Sequence, residues 1–278
     1  MDSQRGDAAV SCGSGSGGGE LDRDMRRILI LGGTTEARLL GERLAKRGGL
    51  DVTLSLAGRT ASPVPHAVPV RVGGFGGAAG LAEYLARERI DALIDATHPY
   101  AAVISANAVA AARETGLAFV VLRRSPWIAV AGDRWTEVGG AGAAVSAIGE
   151  KPRNVFVALG RNELAPFADA PQHRYLIRSV DPVDPPLPLP RVTYVTARGP
   201  FSEADDRARL TAYGIDVVIS KNSGGGAAYG KIAAARALGV AVIMLRRPAV
   251  PVGPAVAGVE EAIAWLDHAL TSTAARGV

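Results

Sequence analysis

Cysteine, aromatic residues and long apolar runs are all scarce in this chain of 278 residues. The single cysteine, Cys12, excludes an internal disulfide framework and a cysteine-based metal site, and it favours a reducing, cytoplasmic compartment. The apolar runs fall short of the roughly 18 residues that span a bilayer, so we expect no transmembrane helix. Residues 1–24 lack the apolar segment of a secretory signal. We therefore predict neither a metal site nor a membrane partner.

Basic clusters are absent as well. The formal net charge is only +4, the arginines are dispersed, and no Lys/Arg block is suited to a nucleic-acid backbone. Aromatic residues make up 5% of the chain, too few for a platform that stacks single-stranded bases. We therefore expect no nucleic-acid partner, whereas a small anionic ligand is compatible with this charge balance. The composition carries no signal for an oligomeric state.

What the chain does contain is a regular alternation of strand and helix patterns. Residues 1–24 are polar and Gly/Ser-rich, and we predict that they are disordered. After them, short β-branched runs are typical of strands buried on both faces of a parallel sheet. The predicted strands are Ile28–Leu31, Val52–Leu56, Val68–Val72, Ala92–Asp95, Ala118–Leu122, Val155–Leu159, Tyr175–Arg178, Val192–Val195, Val217–Ser220 and Ala241–Leu245. The predicted helices lie near Glu36–Arg47, Ala79–Glu88, Ala101–Thr115, Glu203–Tyr213, Gly226–Leu238 and Val259–Leu270.

One predicted strand–helix–strand unit occurs twice in the sequence. Ile90–Arg124 reads IDALIDATHPYAAVISANAVAAARETGLAFVVLRR, and Ile215–Arg247 reads IDVVISKNSGGGAAYGKIAAARALGVAVIMLRR. The scaffold is retained, but the loop after the first strand is not: Asp95–Tyr100 differs in chemistry from Ser220–Gly225. Unlike loops on a repeated scaffold indicate two half-molecules that face one ligand. The repeat predicts two parallel α/β domains, residues 25–128 and 129–278, with the boundary near residues 124–135.

The first predicted strand is followed by Gly32-Gly33-Thr34-Thr35 at the start of a helix. Glycines let the backbone approach a phosphate, and the helix N-terminus offers free N–H groups and the positive end of its dipole. We therefore predict that Gly32, Gly33, Thr34 and Thr35 bind a cofactor phosphate. A tight strand-to-helix turn with a threonine cap would give the same pattern.

The ends of the next two strands suggest which cofactor is bound. Arg59 follows the second strand, where an acidic residue would select NAD and an arginine accommodates the 2′-phosphate of NADP. No Asp or Glu lies between Val52 and Pro65, so the sequence favours NADP, although Arg59 is also compatible with a solvated loop residue. Gly73 opens the glycine cluster after the third strand, which is typical either of close approach to a flat cofactor or of a flexible linker.

The loop after the fourth strand carries Thr97, His98 and Tyr100. The ends of strands in parallel sheets are where ligands bind, and a histidine titrates near neutral pH, so His98 and Tyr100 are candidate catalytic residues. Thr97 is a candidate for cofactor contact or for capping the next helix. Asp95 is interpreted as structural, because a carboxylate there can accept hydrogen bonds from the loop backbone.

The corresponding loop of the second half carries Lys221, Ser223, Gly224 and Gly225. A lysine followed by small polar residues and glycines is well suited to a carboxylate or a phosphate, so we predict that these residues bind an anionic substrate. A solvated lysine is the alternative. Walker A, HExxH and GxSxG sequences are absent, as is the Tyr-x-x-x-Lys pair of short-chain dehydrogenases, which sets aside the commonest oxidoreductase interpretation of a GGT turn.

Several segments together resemble the precorrin-6A reductase family of cobalamin biosynthesis. They are Ile28–Leu40, Leu54–Thr60, Ile94–Ala108, Leu122–Trp127, Ala158–Leu164, Ile219–Gly225 and Lys231–Val240, within roughly residues 26–270. The resemblance implies two Rossmann-like domains, with NADPH and an anionic tetrapyrrole held in the cleft between them. It also implies reduction of one macrocycle double bond without flavin or metal.

On this hypothesis the hydride reaches one ring carbon and a proton from His98, Tyr100 or water reaches its neighbour. Lys221, Ser223 and the glycine loop would meet substrate carboxylates, with Arg124 and Arg161 as weaker candidates. Three alternatives stay open from the sequence: the cobalt-containing form of the substrate, a different anionic substrate of an NADP-dependent reductase, and a non-catalytic NADP-sensing module.

Overall fold

The computed structural model describes residues 25–58, 65–249 and 253–274, and within them the chain forms two six-stranded sheets. Every pairing of neighbouring strands is parallel. In spatial order, the first sheet contains β12 (Ala255–Val256), β5 (Ala118–Leu122), β4 (Ala92–Asp95), β1 (Arg26–Leu31), β2 (Leu50–Leu56) and β3 (Val70–Val72). The second contains β6 (Trp135–Val138), β11 (Ala241–Leu245), β10 (Val217–Lys221), β7 (Asn154–Ala158), β8 (Arg174–Ser179) and β9 (Val192–Thr196).

Seven α-helices cover the faces of these sheets within the described part of the chain. They are α1 (Thr35–Leu44), α2 (Gly77–Arg87), α3 (Ala102–Thr115), α4 (Ala141–Ile148), α5 (Glu203–Ala212), α6 (Gly230–Leu238) and α7 (Val259–Ala274). Two short 3₁₀ segments, Arg161–Glu163 and Ala165–Asp169, follow β7. No described helix is both long and apolar enough to cross a lipid bilayer.

The strands are apolar along their whole length because both faces of each sheet are covered. In β1, Ile28 and Ile30 pack in a core with α1 and α7, whereas Leu29 and Leu31 pack in a separate core with α2 and α3. The second sheet is divided in the same way, with α4 on one face and α5 and α6 on the other. The prediction of two parallel α/β sheets buried on both faces is confirmed.

The two sheets have the same strand order. In each sheet, however, one edge strand comes from the chain segment that follows the other sheet. β6 follows β5 along the chain and pairs with β11, whereas β12 follows β11 and pairs with β5. The chain therefore passes between the sheets twice. After this second crossing, α7 packs against α1, β4 and β5, and its Ala262 and Leu266 are buried in the first core.

This exchange corrects one feature of the predicted division at residues 128 and 129. The helix predicted at Val259–Leu270 lies on the first sheet, not with the second unit where its position in the chain had placed it. The apolar stripe of an amphipathic helix shows that one face is buried, but it does not say against which core. The strands β6 and β12 and the helix α4 were not predicted, and residues 1–24 lie outside the described residues.

The repeated unit forms β4–α3–β5 in the first half and β10–α6–β11 in the second. The helix α3 has 14 residues and α6 has only 9, because α6 begins at Gly230 and not at the predicted Gly226. The second copy therefore has a longer loop before a shorter helix, and this loop reaches the other half of the molecule.

Candidate active site

Each sheet has a topological switch point, where the loops after two neighbouring strands run in opposite directions and leave a crevice. In the first sheet this point lies between β1 and β4. The Thr34 hydroxyl donates a hydrogen bond across it to the Ala96 carbonyl oxygen (2.8 Å) and accepts one from the Ala37 N–H (3.1 Å). The predicted phosphate turn and the predicted histidine loop therefore border one crevice, and Thr34 also caps α1.

The two glycines of this turn do different things. A side-chain carbon added at Gly32 would lie 2.5 Å from Leu54 Cδ1, so a larger residue there would displace the buried Leu54 side chain on β2. Gly33 has a φ of +118°, and an added carbon there would meet no atom within 4 Å. Gly33 thus leaves its backbone open at the first turn of α1, as a phosphate-binding turn requires. The hydrogen bond from the Ala37 N–H confirms the alternative interpretation that a threonine caps this helix. A capped turn is compatible with phosphate binding by its backbone.

The loop that begins at Gly73 is held by an arginine that the sequence analysis missed. Arg71 donates from Nη1 to the Gly73 carbonyl oxygen (2.6 Å) and from Nη2 to that of Gly74 (2.7 Å). Its guanidinium carbon also lies 3.8 Å from the ring centre of Phe75. These contacts give the loop a defined shape beside β2. Arg59 lies outside the described residues.

Asp95 at the end of β4 is 1% exposed and holds the loop that follows through hydrogen bonds. Its Oδ1 accepts hydrogen bonds from the Thr97 N–H (3.1 Å) and hydroxyl (2.6 Å), and Thr97 Oγ1 lies 3.3 Å from Ser105 Oγ. Arg123 Nη2 is 3.9 Å from Asp95 Oδ2 and balances its charge. The Asp95 interpretation as a structural residue agrees with this geometry, and the Thr97 hydroxyl is engaged within the loop.

His98 faces the second half of the molecule. Its Nδ1 accepts a hydrogen bond from the Tyr100 N–H (3.3 Å), so in the neutral ring Nε2 carries the proton. Nε2 lies 3.2 Å from Ser223 Oγ in the second half. Burial, together with the nearby cations Lys221, Arg124, Arg247 and Lys231, lowers the pKa of His98 to about 3. The imidazole is therefore neutral at physiological pH.

Tyr100 connects the two halves. Its hydroxyl donates to the carbonyl oxygen of Leu245 and accepts a hydrogen bond from the Asn222 N–H (2.8 Å). The ring packs against the core of the second sheet, and burial raises the pKa of the phenol to about 12. Both hydrogen-bonding functions of the hydroxyl are thus used to hold the first-half loop against the ends of β10 and β11.

Lys221 is paired and not merely solvated. Its ammonium group forms an ion pair with Glu163 and lies 5.0 Å from the ring centre of Tyr100. Glu163 Oε2 also accepts a hydrogen bond from the Gly160 N–H (3.1 Å). These residues occupy the switch point of the second sheet, between β7 and β10, so the structure brings Lys221 and Ser223 to the same place as His98 and Tyr100.

Gly224 and Gly225 lie against the segment that connects the two sheets. Their φ angles are +70° and +65°, and an added side-chain carbon would lie 2.3 Å from the Ser125 carbonyl oxygen at Gly224 or 2.7 Å from Arg124 Cδ at Gly225. From the sequence, these glycines were predicted to bind an anionic ligand. The structure gives them a packing role, since only glycine allows this loop to approach the connecting segment so closely.

Three further residues of this junction, Asn222, Trp127 and Arg247, were not predicted as site residues. Asn222 accepts from the Trp127 N–H (2.7 Å) and donates to the Trp127 carbonyl oxygen (2.8 Å), as a neighbouring strand would. Arg247 donates to the carbonyl oxygens of Asn222 (2.8 Å) and Arg124 (2.7 Å). Arg124 in turn pairs with Glu36 in the first turn of α1 (3.0 Å). The Arg-Arg pair that ends both copies of the repeat was the signal for this junction.

The comparisons with known proteins fit this architecture. A family model described as "Precorrin-6x reductase CbiJ/CobK" matches residues 27–267. The chain belongs to this precorrin-6x reductase family. It is 55% identical over 242 residues to a precorrin-6A reductase from a Sinorhizobium species, covering 87% of this chain and 93% of that protein.

A solved structure titled "CobK precorrin-6A reductase" superimposes on this chain with a TM-score of 0.84. The two are 50% identical, and the match covers 88% of this chain and 97% of the other. A cobalt-precorrin-6A reductase from Priestia megaterium is 29% identical, with 88% of this chain and 98% of that protein covered. The family and the fold predicted from the sequence are confirmed, and membership of a reductase family sets aside the non-catalytic sensing module.

Proposed function

We propose that this protein uses NADPH to reduce one double bond of the precorrin-6A macrocycle, giving precorrin-6B in cobalamin biosynthesis. The observation that carries the proposal is the meeting of the two switch points, where His98 Nε2 of the first half lies 3.2 Å from Ser223 Oγ of the second. A cofactor at one crevice and a substrate at the other would have their reacting atoms side by side.

The residues of the first crevice fit a dinucleotide. The open backbone at Gly33, the backbone N–H groups of Thr34 and Thr35 at the start of α1 and the Thr35 hydroxyl would hold a phosphate, while the Thr34 hydroxyl is engaged by Ala96 and Ala37. The loop at Gly73 also has open space where a side chain would be, so a flat group can approach it. Arg59 is proposed at the adenosine 2′-phosphate, and Thr97 at the nicotinamide end. When bound, NADPH supplies the hydride, and the protein supplies its position.

Water is the proton source that this geometry favours. The pKa of His98 is lowered to about 3, so the acidic imidazolium form is not populated at physiological pH, and the Tyr100 hydroxyl is bound at Leu245 and Asn222. A positioned general acid contributes about 10²–10⁴-fold to a rate. If water is the donor, a His98→Gln variant and a Tyr100→Phe variant should each keep kcat within about tenfold of the wild type at saturating substrate. A fall of more than a hundredfold in either variant, with the fold intact, would make that side chain the proton donor, one of the three sources that the sequence leaves open.

The second crevice is proposed to receive the substrate carboxylates. Lys221, Ser223 and the N–H groups of Gly224 and Gly225 are the candidate donors, and the surrounding cations make this end of the sheet attractive to anions. The charge of Lys221 is shared with Glu163, so substrate binding by Lys221 requires that this ion pair accommodates a further carboxylate.

The choice between cobalt-free and cobalt-containing substrate is tested by turnover of both. Higher identity to a protein named precorrin-6A reductase than to one named cobalt-precorrin-6A reductase favours the cobalt-free substrate. We expect loss of NADPH absorbance with precorrin-6A, at a kcat/KM at least tenfold higher than with its cobalt form or with NADH. Oxidation of NADPH with neither substrate would remove the proposal, and a preference for the cobalt form would reverse the substrate assignment.

A further inference from the structure

The two copies of the repeat both end in Arg-Arg, but their arginines have different partners. In the first half, Arg123 faces Asp95 with Nη2 3.9 Å from Oδ2, and Arg124 Nη1 lies 3.0 Å from a Glu36 carboxylate oxygen. Both arginines of the first pair therefore have a carboxylate.

The second half lacks these carboxylates. In the aligned repeats, Arg246 stands at the position of Arg123, while Ser220 replaces Asp95. The hydroxyl of Ser220 donates to the Lys221 carbonyl oxygen and offers no negative charge. Glu163 follows β7 in the second half as Glu36 follows β1 in the first, and its carboxylate is bound by Lys221. Among the described residues, no carboxylate lies within ion-pair distance of Arg246 or Arg247.

Arg246 lies at a hollow of about 250 Å³ beside the candidate active site. The hollow is lined by Tyr100 from the first half and by Gly140, Glu163, Arg246 and Arg247 from the carboxyl end of the second sheet. Glu163 is neutralised by Lys221, and Arg247 donates to the carbonyl oxygens of Asn222 and Arg124. The exposed guanidinium of Arg246 is the cation in this lining whose side chain makes no hydrogen bond to the described residues.

We infer that Arg246 is a substrate-specificity residue that binds one carboxylate side chain of the tetrapyrrole in this hollow. The inference rests on the proposed function, because it assigns a subsite of the same substrate. A guanidinium matches a carboxylate with two parallel hydrogen bonds, and loss of an aspartate partner leaves its donors available for a ligand. In the first half, the corresponding Arg123 and Arg124 face Asp95 and Glu36, so their charges are balanced within the protein.

The test compares Arg246→Gln and Arg246→Lys with a matched control, Arg153→Gln, which removes an exposed arginine just before β7, at the amino end of the strands of the second sheet. We measure kcat and KM for precorrin-6A at saturating NADPH, the dissociation constant of precorrin-6A from tryptophan fluorescence without NADPH, and the dissociation constant of NADPH. For Arg246→Gln we expect KM and the precorrin-6A dissociation constant to rise about tenfold, with kcat and NADPH binding within twofold.

Two further readouts separate charge recognition from a structural role. Arg246→Lys should recover part of the affinity, and added salt should weaken precorrin-6A binding more in the wild type than in Arg246→Gln. Unchanged precorrin-6A affinity in Arg246→Gln, or a loss confined to kcat or equal to that of Arg153→Gln, would overturn the inference. The wild type in the same assay separates the two proposals: if it does not oxidise NADPH with precorrin-6A the proposed function fails, whereas if it does and Arg246→Gln is unaffected only the subsite fails.

Discussion

His98 illustrates how the surroundings of one residue change its chemistry. The sequence predicts a group that titrates near neutral pH, because that is the ordinary behaviour of histidine. The fold surrounds this ring with cations from both halves of the chain and lowers its pKa to about 3. The lowered pKa could not be predicted from the sequence, because Lys221, Arg124 and Arg247 are distant from His98 along the chain.

The lowered pKa of His98 predicts a specific loss of stability in acid. Between pH 6.5 and about 3 the unfolded chain binds a proton at His98 that the folded protein does not, so the free energy of unfolding falls as the pH falls through this window. Replacement of His98 by Gln removes this contribution. We expect urea unfolding to show a larger drop from pH 7 to pH 4.5 for the wild type than for His98→Gln. An equal drop in the two proteins would show that the imidazole is not held neutral.

Gly224 gives a second residue-scale prediction. Its φ of +70° and its approach to the Ser125 carbonyl oxygen, 2.3 Å from an added side-chain carbon, leave no room for alanine. We expect Gly224→Ala to lower the free energy of unfolding by about 2 kcal/mol or more. The matched control is Gly226→Ala in the same loop, where an added carbon meets no atom within 4 Å. Equal effects of the two substitutions in chemical denaturation would contradict this packing role.

At the scale of elements, local patterns predicted most strands well and their tertiary partners poorly. The strands β4, β5 and β11 have the predicted bounds, because their apolar runs are sharply delimited. The start of α6 was predicted four residues too early, since Ala-rich sequence favours a helix while Asn222 and Gly225 are bound to the connecting segment. The two-residue strand β12 has no pattern of its own and exists because β5 offers an edge to pair with.

The candidate site was predicted in outline for a related reason. Strand ends carry ligands in parallel α/β folds, so Gly32–Thr35, Thr97–Tyr100 and Lys221–Gly225 could be singled out from their positions alone. The contacts among these loops required the fold. Asn222, Trp127 and Arg71 were missed because each acts through contacts with residues whose proximity the sequence does not indicate.

At the scale of the whole molecule, the exchange of β6 and β12 ties the two halves together. The first core is completed by α7, which comes after the second sheet in the chain. Its Ala262 and Leu266 are fully buried in that first core. Two connecting segments lie side by side between the sheets, joined by the hydrogen bond from Arg247 to the Arg124 carbonyl oxygen. A cut at residue 128 therefore separates the first sheet from part of its own core.

This arrangement predicts the behaviour of fragments. Residues 25–128 expressed alone expose the apolar surface that α7 covers, so we expect a fragment without a cooperative unfolding transition. Joining residues 253–274 to its C-terminus through a flexible linker should restore a cooperative transition. Calorimetry of the two fragments provides the measurement, and a cooperative transition in the shorter one would show that residues 25–128 are an independent domain.

The central claim is that hydride passes from NADPH in the first crevice to a carbon of the tetrapyrrole held by the second. The most direct measurement is mass spectrometry of the product formed from precorrin-6A and NADPH deuterated at the transferred position. We predict a product that carries one deuterium from the cofactor, together with a second hydrogen from solvent. Product without cofactor deuterium, or no product while NADPH stays reduced, would contradict this account.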